Sequence, residues 1–336
     1  MSASLFPPPE QGADVLAEIE ALGARMQAVR AEIGRVIFGQ DEVIEQTLIT
    51  LLSGGHVLLV GVPGLGKTKL VETLGAVLGL AAKRVQFTPD LMPADILGSE
   101  VLDEDAEGRR SFRFVPGPIF CQLLMADEIN RASPRTQSAL LQGMQEFKVA
   151  VGGFDRPLPR PFHVLATQNP IEQEGIYPLP EAQLDRFLLE IRVPYPSFEA
   201  ERTMLLATTG AEVVKPSRVL SQEGLLAAQA LIRRIPVGES VVAGILDLVR
   251  GGRPSSSEIE MVARHVSWGP GPRAAQALML AARARALLEA RLAPSLDDVI
   301  ALAAPVLRHR MALSFSARAE GIALADVIAA MVERIG

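Results

Sequence analysis

The chain has 336 residues, a hydrophobic content of 49% and a formal net charge of −6 at pH 7. At roughly 150 residues per domain this length predicts about two domains, and the hydrophobic content excludes a mostly disordered chain. The acidic balance disfavours nucleic acid as a partner, because neutralising phosphates requires clustered positive charge. No uncharged apolar run approaches the roughly 20 residues that cross a bilayer, and the single cysteine excludes an internal disulfide. We therefore expect a cytoplasmic protein without a transmembrane segment or a secretory signal.

The first part of the chain predicts a short tail followed by a long helix. Three consecutive prolines, Pro7–Pro9, favour a disordered tail over residues 1–12. From Ala13 to Ile33, apolar residues recur at the spacing of one helix face. This pattern predicts an amphipathic helix ahead of the first strand.

Between this helix and residue 196, short apolar runs alternate with helical stretches. Near-continuous apolar runs of this kind predict a parallel sheet whose two faces are covered by helices. Two irregular regions interrupt the alternation: an insert of loops and short strands over residues 96–118, and a β-hairpin over residues 147–161 that turns at Gly152-Gly153. The five predicted strands are His56–Val60, Arg84–Phe87, Gln122–Asp127, Pro161–Thr167 and Leu188–Val193.

After residue 196 the strand pattern disappears. The remainder is rich in Ala, Leu and Arg at helical spacing, and Ser295 followed by Asp297 and Asp298 predicts a helix N-terminus. We place the domain boundary near Pro196. The sequence thus predicts an α/β domain over residues 13–196 and a helical domain over residues 197–336.

A phosphate-binding loop is predicted at Gly61–Thr68, where GVPGLGKT fits the pattern G-x-x-x-x-G-K-[ST] between a strand and a helix. The glycines let backbone N–H groups surround phosphate oxygens, and the helix N-terminus favours the same anion. Lys67 is expected to reach the β- and γ-phosphates, and the Thr68 hydroxyl to bind Mg²⁺. Chance produces this pattern in roughly 1% of chains, so we prefer ATP binding to a glycine-rich turn with an incidental lysine.

The third predicted strand ends in an acidic pair, Asp127 and Glu128. In open α/β sheets, ligands bind at the carboxyl ends of the strands. Asp127 is expected to contact Mg²⁺ through a water, and Glu128 to accept a proton from the attacking water. Alone, such a pair is more often a solvated strand end, but the phosphate loop upstream in the same sheet favours catalysis.

With these motifs in place, the sequence resembles the AAA+ ATPases and, within them, the MoxR group. The resemblance runs from about residue 30 to the C-terminus and rests on IGRVIFGQDEVI, GVPGLGKT, FVPGPIF, LLMADEINRASPRTQSALLQ, VLATQNP, LPEAQLDRFLL and WGPGPRAA. It implies an α/β P-loop AAA+ core with a five-stranded parallel sheet of order 5-1-4-3-2, and a C-terminal all-helical lid. It also implies a homo-oligomeric ring, commonly of six subunits, that hydrolyses ATP to ADP with Mg²⁺.

The resemblance further implies a chaperone-like role in remodelling, maturing or activating a client protein complex. Recruitment often involves a partner with a von Willebrand factor A domain. The predicted insert and hairpin match the helix-2 insert and the pre-sensor hairpin of this group, which commonly face the pore and engage clients. Two alternatives remain: a DNA-acting AAA+ motor or loader, and a nucleotide-switched scaffold that needs no turnover.

Site residues outside the two motifs are also implied by the resemblance. Asn169 would orient the lytic water, Arg186 would reach the γ-phosphate of a neighbouring subunit, and Arg273 would touch the phosphates of its own subunit and couple them to the lid angle. The full catalytic set is then Lys67, Glu128, Asn169, Arg186 and Arg273, with Thr68 and Asp127 at the metal. The nucleotide set is Phe38, Gly39 and Gln40 at the adenine, followed by Gly61, Pro63, Gly64, Leu65, Gly66, Lys67, Thr68 and Lys69.

Ordinary structural roles compete with three of these assignments. Asn169 precedes Pro170 and could belong to a turn. Arg186 could pair with Asp185 or Glu181. Arg273 follows a proline at an ordinary helix start. Arg131 and Arg135 follow the acidic pair. They could face a neighbouring subunit or be surface charges at a helix start, and both interpretations remain.

Overall fold

The computed structural model describes residues 9–104, 108–171, 175–210 and 214–336, with side chains from residue 16 onward. Helix α1 spans Pro9–Gly34 and begins four residues before the predicted start at Ala13. Residues 9–12 of the predicted tail are therefore helical. The rest of that predicted tail, residues 1–8, lies outside the described residues.

A five-stranded parallel sheet forms the centre of the first domain. Its strand order is 2-3-4-1-5 when the strands are counted along the chain, which is the predicted order 5-1-4-3-2 viewed from the other edge. Each strand begins and ends within two residues of its predicted bounds. The elements are α2 (Asp41–Leu52), β1 (Val57–Val60), α3 (Lys67–Leu78), β2 (Ala82–Gln86), α4 (Pro93–Leu97), β3 (Gly98–Glu104), β4 (Arg110–Pro116), β5 (Leu123–Asp127), α5 (Pro134–Glu146), β6 (Lys148–Val151), β7 (Phe154–Pro157), β8 (His163–Gln168), α6 (Glu181–Leu184) and β9 (Leu189–Arg192).

Alternate residues of the sheet strands enter two different cores. In β5, Leu123 and Met125 pack into the core on the side of α1, α2 and α3, while Leu124 and Ala126 pack into the core on the side of α5. This follows from the period of two along a strand. Both faces of the sheet are thus covered, as a near-continuous apolar pattern predicts.

Two antiparallel hairpins project from this domain. Strands β3 and β4 pair over seven residues each, so the predicted insert is a longer hairpin than the short strands expected there. Strands β6 and β7 pair across Gly152 and Gly153, whose φ angles of 62° and 81° fit the turn type that hairpins of two-residue loops favour.

The second domain packs helices against α1 and α2. Its elements are α7 (Phe198–Thr209), α8 (Gln222–Ile232), α9 (Glu239–Gly251), α10 (Glu260–His265), β10 (Val266–Trp268), α11 (Pro272–Leu288), α12 (Leu296–Leu307), β11 (Ala312–Leu313), α13 (Phe315–Ala319) and α14 (Leu324–Glu333). The lid is helical, as the sequence predicts, and additionally contains the short antiparallel pair β10–β11. Within the described ranges, no helix is long and apolar enough to cross a bilayer.

Candidate active site

The phosphate loop follows β1 at the carboxyl edge of the sheet. Gly64 and Gly66 have φ angles of 85° and 75°, and open space lies where a Cβ would point from either residue. Helix α3 begins directly after Gly66, so its N-terminal amides face the loop. Lys67 donates from Nζ to the carbonyl oxygens of Gly61 and Val62. Burial lowers the pKa of Lys67, and the nearby carboxylates of the acidic pair oppose that shift.

Asp127 is buried at the end of β5 and both of its oxygens accept hydrogen bonds. Thr167, near the end of the neighbouring strand β8, donates from Oγ1 to Oδ1 at 2.6 Å. Arg84 of β2 donates to Oδ2 from Nη2 at 2.5 Å and from Nε at 3.2 Å. The carboxylate that is expected to serve the metal is therefore fixed from the strands on both sides.

Glu128 adopts a left-handed backbone with φ of 55°. Such a conformation costs about 1–3 kcal/mol in a non-glycine residue and concentrates at functional sites. Its backbone N–H donates to Thr167 Oγ1 at 2.8 Å. Its side-chain oxygen Oε2 accepts from Gln86 Nε2 at 2.8 Å and from Arg131 Nη1 at 2.9 Å. Oε1 receives neither of these bonds.

Arg84, Gln86 and Thr167 are site residues that sequence reasoning missed. Each is some 40 residues from the acidic pair along the chain. The available signal was positional: all three lie near the carboxyl ends of strands that flank β5. Polar residues at those ends face the same edge of the sheet as the phosphate loop.

A cleft of about 450 Å³ gathers most of the predicted site. It is lined by Pro63, Gly64, Gly66, Lys67, Thr68, Lys69, Arg84, Gln86, Asp127, Glu128 and Asn169. Asn169 is 7% exposed, and its Oδ1 accepts from the backbone N–H of Ile171 at 3.1 Å. Arg135 is exposed at the start of α5, whereas Arg131 is held by Glu128.

The predicted adenine segment is joined to the phosphate loop. Gln40 donates from Nε2 to the carbonyl oxygen of Leu65 at 3.0 Å. Gly39, with φ of 65°, lies so close to Ala200 of α7 that an added Cβ would stand 2.2 Å from the alanine Cβ. Phe38 is half-buried beside them.

The residues of the cleft fit a magnesium ion. Thr68 supplies a hydroxyl oxygen and Asp127 a carboxylate oxygen within the same cleft. Hard oxygen donors of this kind, usually one or two from the protein with phosphate oxygens and waters, are what Mg²⁺ takes in nucleotide sites.

Arg186 and Arg273 lie at the opposite edge of the sheet. Both line a second cleft together with Gly55 and His56, the residues that precede β1. The four- to six-residue strands, at about 3.3 Å per residue, separate the two edges by roughly 13–20 Å. Arg273, at the start of α11, thus lies beside the amino edge of the sheet in this chain. Its contact with phosphates stays a prediction.

Asp185 contacts two arginines at the amino edge of the sheet, Arg310 and Arg273. Arg310, with 3% of its side chain exposed, donates from Nε to Asp185 Oδ1 at 2.7 Å and from its terminal nitrogens to the carbonyl oxygens of Phe187 and Leu188. Arg273 Nη1 lies 3.7 Å from the other oxygen of Asp185. Within the part of the chain that the structure describes, Arg186 forms no ion pair with Asp185 or Glu181, and its Nε has no hydrogen-bond partner.

Sequence comparison agrees with this architecture. Residues 56–189 match the family model described as "ATPase family associated with various cellular activities (AAA)", and residues 259–331 match the AAA lid domain. The chain is 42% identical to Chaperone MoxR1 of Mycobacterium tuberculosis, over 98% of this chain and 85% of that protein. The chain belongs to the MoxR family of AAA+ ATPases. Protein MoxR of Paracoccus denitrificans is 34% identical over 87% of this chain and 89% of its own length.

A solved structure extends the MoxR-family comparison to the whole fold. A candidate ATPase of Cytophaga hutchinsonii superposes with a TM-score of 0.88 at 36% sequence identity, covering 97% of this chain and 98% of the other. The family and the fold class predicted from the sequence are thus confirmed. Membership in this family of ATPases also implies nucleotide binding.

Proposed function

We propose that this MoxR-family chain hydrolyses ATP in a homo-oligomeric ring, a hexamer, in which every site combines two chains. The observation that carries the proposal is the division of the site between the two edges of one sheet. The phosphate loop and the acidic pair lie at the carboxyl edge, whereas Arg186 and Arg273 lie at the amino edge. A head-to-tail contact between identical chains brings opposite edges together and closes into a ring when the rotation permits.

The carboxyl edge supplies the residues that bind ATP and activate water. The glycine backbone and Lys67 cradle the phosphates, while Thr68 and Asp127 hold the metal. A Mg²⁺ ion held by Thr68 and Asp127 would supply positive charge that offsets the charge developing on the phosphates. Glu128 accepts the proton of the attacking water at Oε1, because Gln86 and Arg131 both donate to the other carboxylate oxygen, Oε2. Asn169 orients that water.

The amino edge of the neighbouring chain completes the site. A guanidinium is permanently charged and donates two parallel hydrogen bonds to phosphate oxygens. Arg186 can therefore stabilise the negative charge of the transition state. Arginines supplied by a second chain contribute about 10³–10⁵ in rate. Arg273, held beside Arg186 by Asp185, enters from the same neighbour. Both arginines therefore act in trans.

We also propose that turnover serves to remodel, mature or activate a client protein complex in the cytoplasm, in part through a partner with a von Willebrand factor A domain. The name of the relative Chaperone MoxR1 supports a chaperone role. The client would contact the two hairpins, whose exposed side chains include Leu102, Phe112 and Phe154. Arg156 joins the hairpins, because it stacks 3.8 Å from the ring centre of Phe114 and lies 3.4 Å from Glu100.

Nucleotide binding and turnover, measured separately on three variants, test this function. We expect Lys67→Ala to lose both, and Glu128→Gln to bind ATP while turnover falls by about 100-fold or more. Arg186→Ala should bind ATP within about threefold of the parent chain yet lose about 10³ in turnover. Arg264→Ala, an exposed arginine of α10, is the matched control. Equal loss of binding and turnover in Arg186→Ala, or no adenine nucleotide binding by the parent chain, would contradict the proposal.

A further inference from the structure

One buried arginine of the lid, Arg310, uses its whole guanidinium to bind groups of its own chain. A guanidinium has five N–H groups. Those of Arg310 donate to Asp185 Oδ1 at 2.7 Å and to four carbonyl oxygens: those of Asp185 at 3.4 Å, Phe187 at 2.6 Å, Leu188 at 3.0 Å and Val306 at 2.7 Å. Since only 3% of the side chain is exposed and every N–H has an acceptor, Arg310 has no donor left for a phosphate.

The bonds of Arg310 lie on both sides of Arg186 along the chain. Asp185 precedes Arg186, and Phe187 and Leu188 follow it. Arg310 therefore holds the residue before Arg186 and the two residues after it.

The side chain of Arg186 has no comparable support. Over the described ranges of the chain, its Nε has no hydrogen-bond partner. The side chain lines the amino-edge cleft together with Asp185 and Arg273. A side chain extends from its backbone in a few staggered conformations, so the backbone position limits where its end can lie. Arg310 thus limits where the guanidinium of Arg186 can point.

The two residues before Arg310 bind the same part of the sheet domain. His309 is buried and donates from Nε2 to the carbonyl oxygen of Phe187 at 3.0 Å. Arg308 donates from Nη1 to the carbonyl oxygen of Glu190 in β9 at 3.4 Å. Three consecutive lid residues thus connect the lid to the chain on either side of the start of β9.

We infer that Arg310 is a positioning residue for ATP hydrolysis: it holds the backbone around Arg186 so that the Arg186 guanidinium reaches the phosphates of the neighbouring chain. The inference rests on the proposed function, in which Arg186 acts in trans. A misplacement of about 1 Å can cost about 10²-fold in rate. Loss of Arg310 therefore slows the site of the next chain and leaves nucleotide binding by its own chain intact. Because Arg310 belongs to the lid, a lid movement in one chain also moves an arginine in the next site.

Replacement of Arg310 by side chains of similar length tests this role. Arg310→Met removes all five donors, and Arg310→Lys keeps the charge without the planar fork. We expect kcat for ATP to fall by about 100-fold in Arg310→Met and by about tenfold in Arg310→Lys, with ATP affinity within about threefold of the parent chain. Arg318→Met is the matched control, because Arg318 of α13 donates to the carbonyl oxygen of Leu313 inside the lid. Its kcat should stay within about twofold of the parent value.

Mixing with two other variants separates positioning from a general structural role. Arg310→Met keeps its carboxyl edge and Glu128→Gln keeps its amino edge, so their equimolar mixture should recover to about one quarter of the parent rate. A mixture of Arg310→Met with Arg186→Ala should stay as inactive as its components, since both carry a defective amino edge. If loss of Arg310 damaged the ATP site of its own chain instead, the two mixtures would give the opposite results.

Three results would overturn the inference: parent-like kcat in Arg310→Met, recovery in the mixture with Arg186→Ala, or no recovery in the mixture with Glu128→Gln. Should Arg310→Met lose its native circular dichroism, Arg310→Lys is measured in the same mixtures. Failure of the proposed function gives a different result, because Arg186→Ala would then hydrolyse ATP at the parent rate. Failure of the inference alone leaves Arg186→Ala inactive.

Discussion

Acidification from about pH 7.5 to about pH 5 is expected to destabilise the fold through two buried histidines at the amino edge of the sheet. His56 accepts a hydrogen bond at Nδ1 from the backbone N–H of Val164 at 3.0 Å and donates from Nε2 to the carbonyl oxygen of Met144 at 3.1 Å. His163 donates from Nδ1 to the carbonyl oxygen of Gly55 at 2.8 Å, and its Nε2 faces the amide nitrogen of Gln229 at 3.1 Å. Each neutral ring is satisfied, and an added proton would face another donor.

The size of the effect follows from the pKa values. Burial lowers the pKa of His56 from 6.5 to about 3 and that of His163 from 6.5 to about 4. Because both folded values lie below the unfolded value, the unfolded chain binds more protons below pH 6.5, and stability is lost as the pH falls from there. Each histidine removes about 1.4 kcal/mol per pH unit, or about 2 kcal/mol by pH 5. Together they remove about 4 kcal/mol, a large part of a typical 5–15 kcal/mol.

Urea unfolding followed by circular dichroism at several pH values measures this loss. His163→Asn keeps an amide that can donate to Gly55 but cannot titrate, so it isolates one proton. We expect the slope of unfolding free energy against pH, between about pH 6 and pH 5, to fall by about 1.4 kcal/mol per unit in this variant. A variant slope equal to that of the parent chain, or a parent stability that is flat across this range, would refute the reasoning.

Three further predictions concern the side chains that contact the carboxylates of Glu128, Asp127 and Asp298. Gln86→Ala removes one hydrogen bond that positions the Glu128 carboxylate, so turnover should fall about tenfold with ATP affinity unchanged in equilibrium binding. Arg84→Ala removes the cation that occupies Asp127 Oδ2, so ATP binding should saturate at an about threefold lower Mg²⁺ concentration in titrations of fluorescent nucleotide. Asp298→Asn replaces a fully buried carboxylate that is bonded to Arg285 and Arg291 by a neutral amide. The free energy of unfolding measured in urea should therefore fall by about 3 kcal/mol. No change in the respective measurement would contradict each prediction.

Local patterns in the sequence predicted the parts of the fold that local physics determines. The five apolar runs became the five strands, because a strand buried on both faces needs apolar side chains at nearly every position. The phosphate loop was equally visible, since GVPGLGKT combines the turn and the helix start in eight consecutive residues. The resemblance to a family supplied the strand order and the lid.

Contacts between distant residues account for what the sequence did not show. Thr167 was missed because its role depends on the register of β8 against β5, which places its hydroxyl between the two acidic residues. The place of Arg273 at the amino edge was likewise not visible in the sequence, because the position of α11 depends on lid packing. There, Arg310 contacts Asp185 and Phe187 across more than 120 residues of chain. No spacing pattern encodes such a contact.

The central claim is that one active site takes its phosphate loop from one chain and its arginines from the next, and mixing two inactive variants tests it most directly. Glu128→Gln removes the catalytic base at the carboxyl edge and leaves the amino edge intact. Arg186→Ala removes the arginine at the amino edge and leaves the carboxyl edge intact, so each variant should be inactive alone. In an equimolar mixture, about one quarter of the contacts pair an intact carboxyl edge with an intact amino edge, and ATP turnover should recover to about one quarter of the parent rate. A mixture in which both variants assemble together yet remains as inactive as its components would contradict the claim.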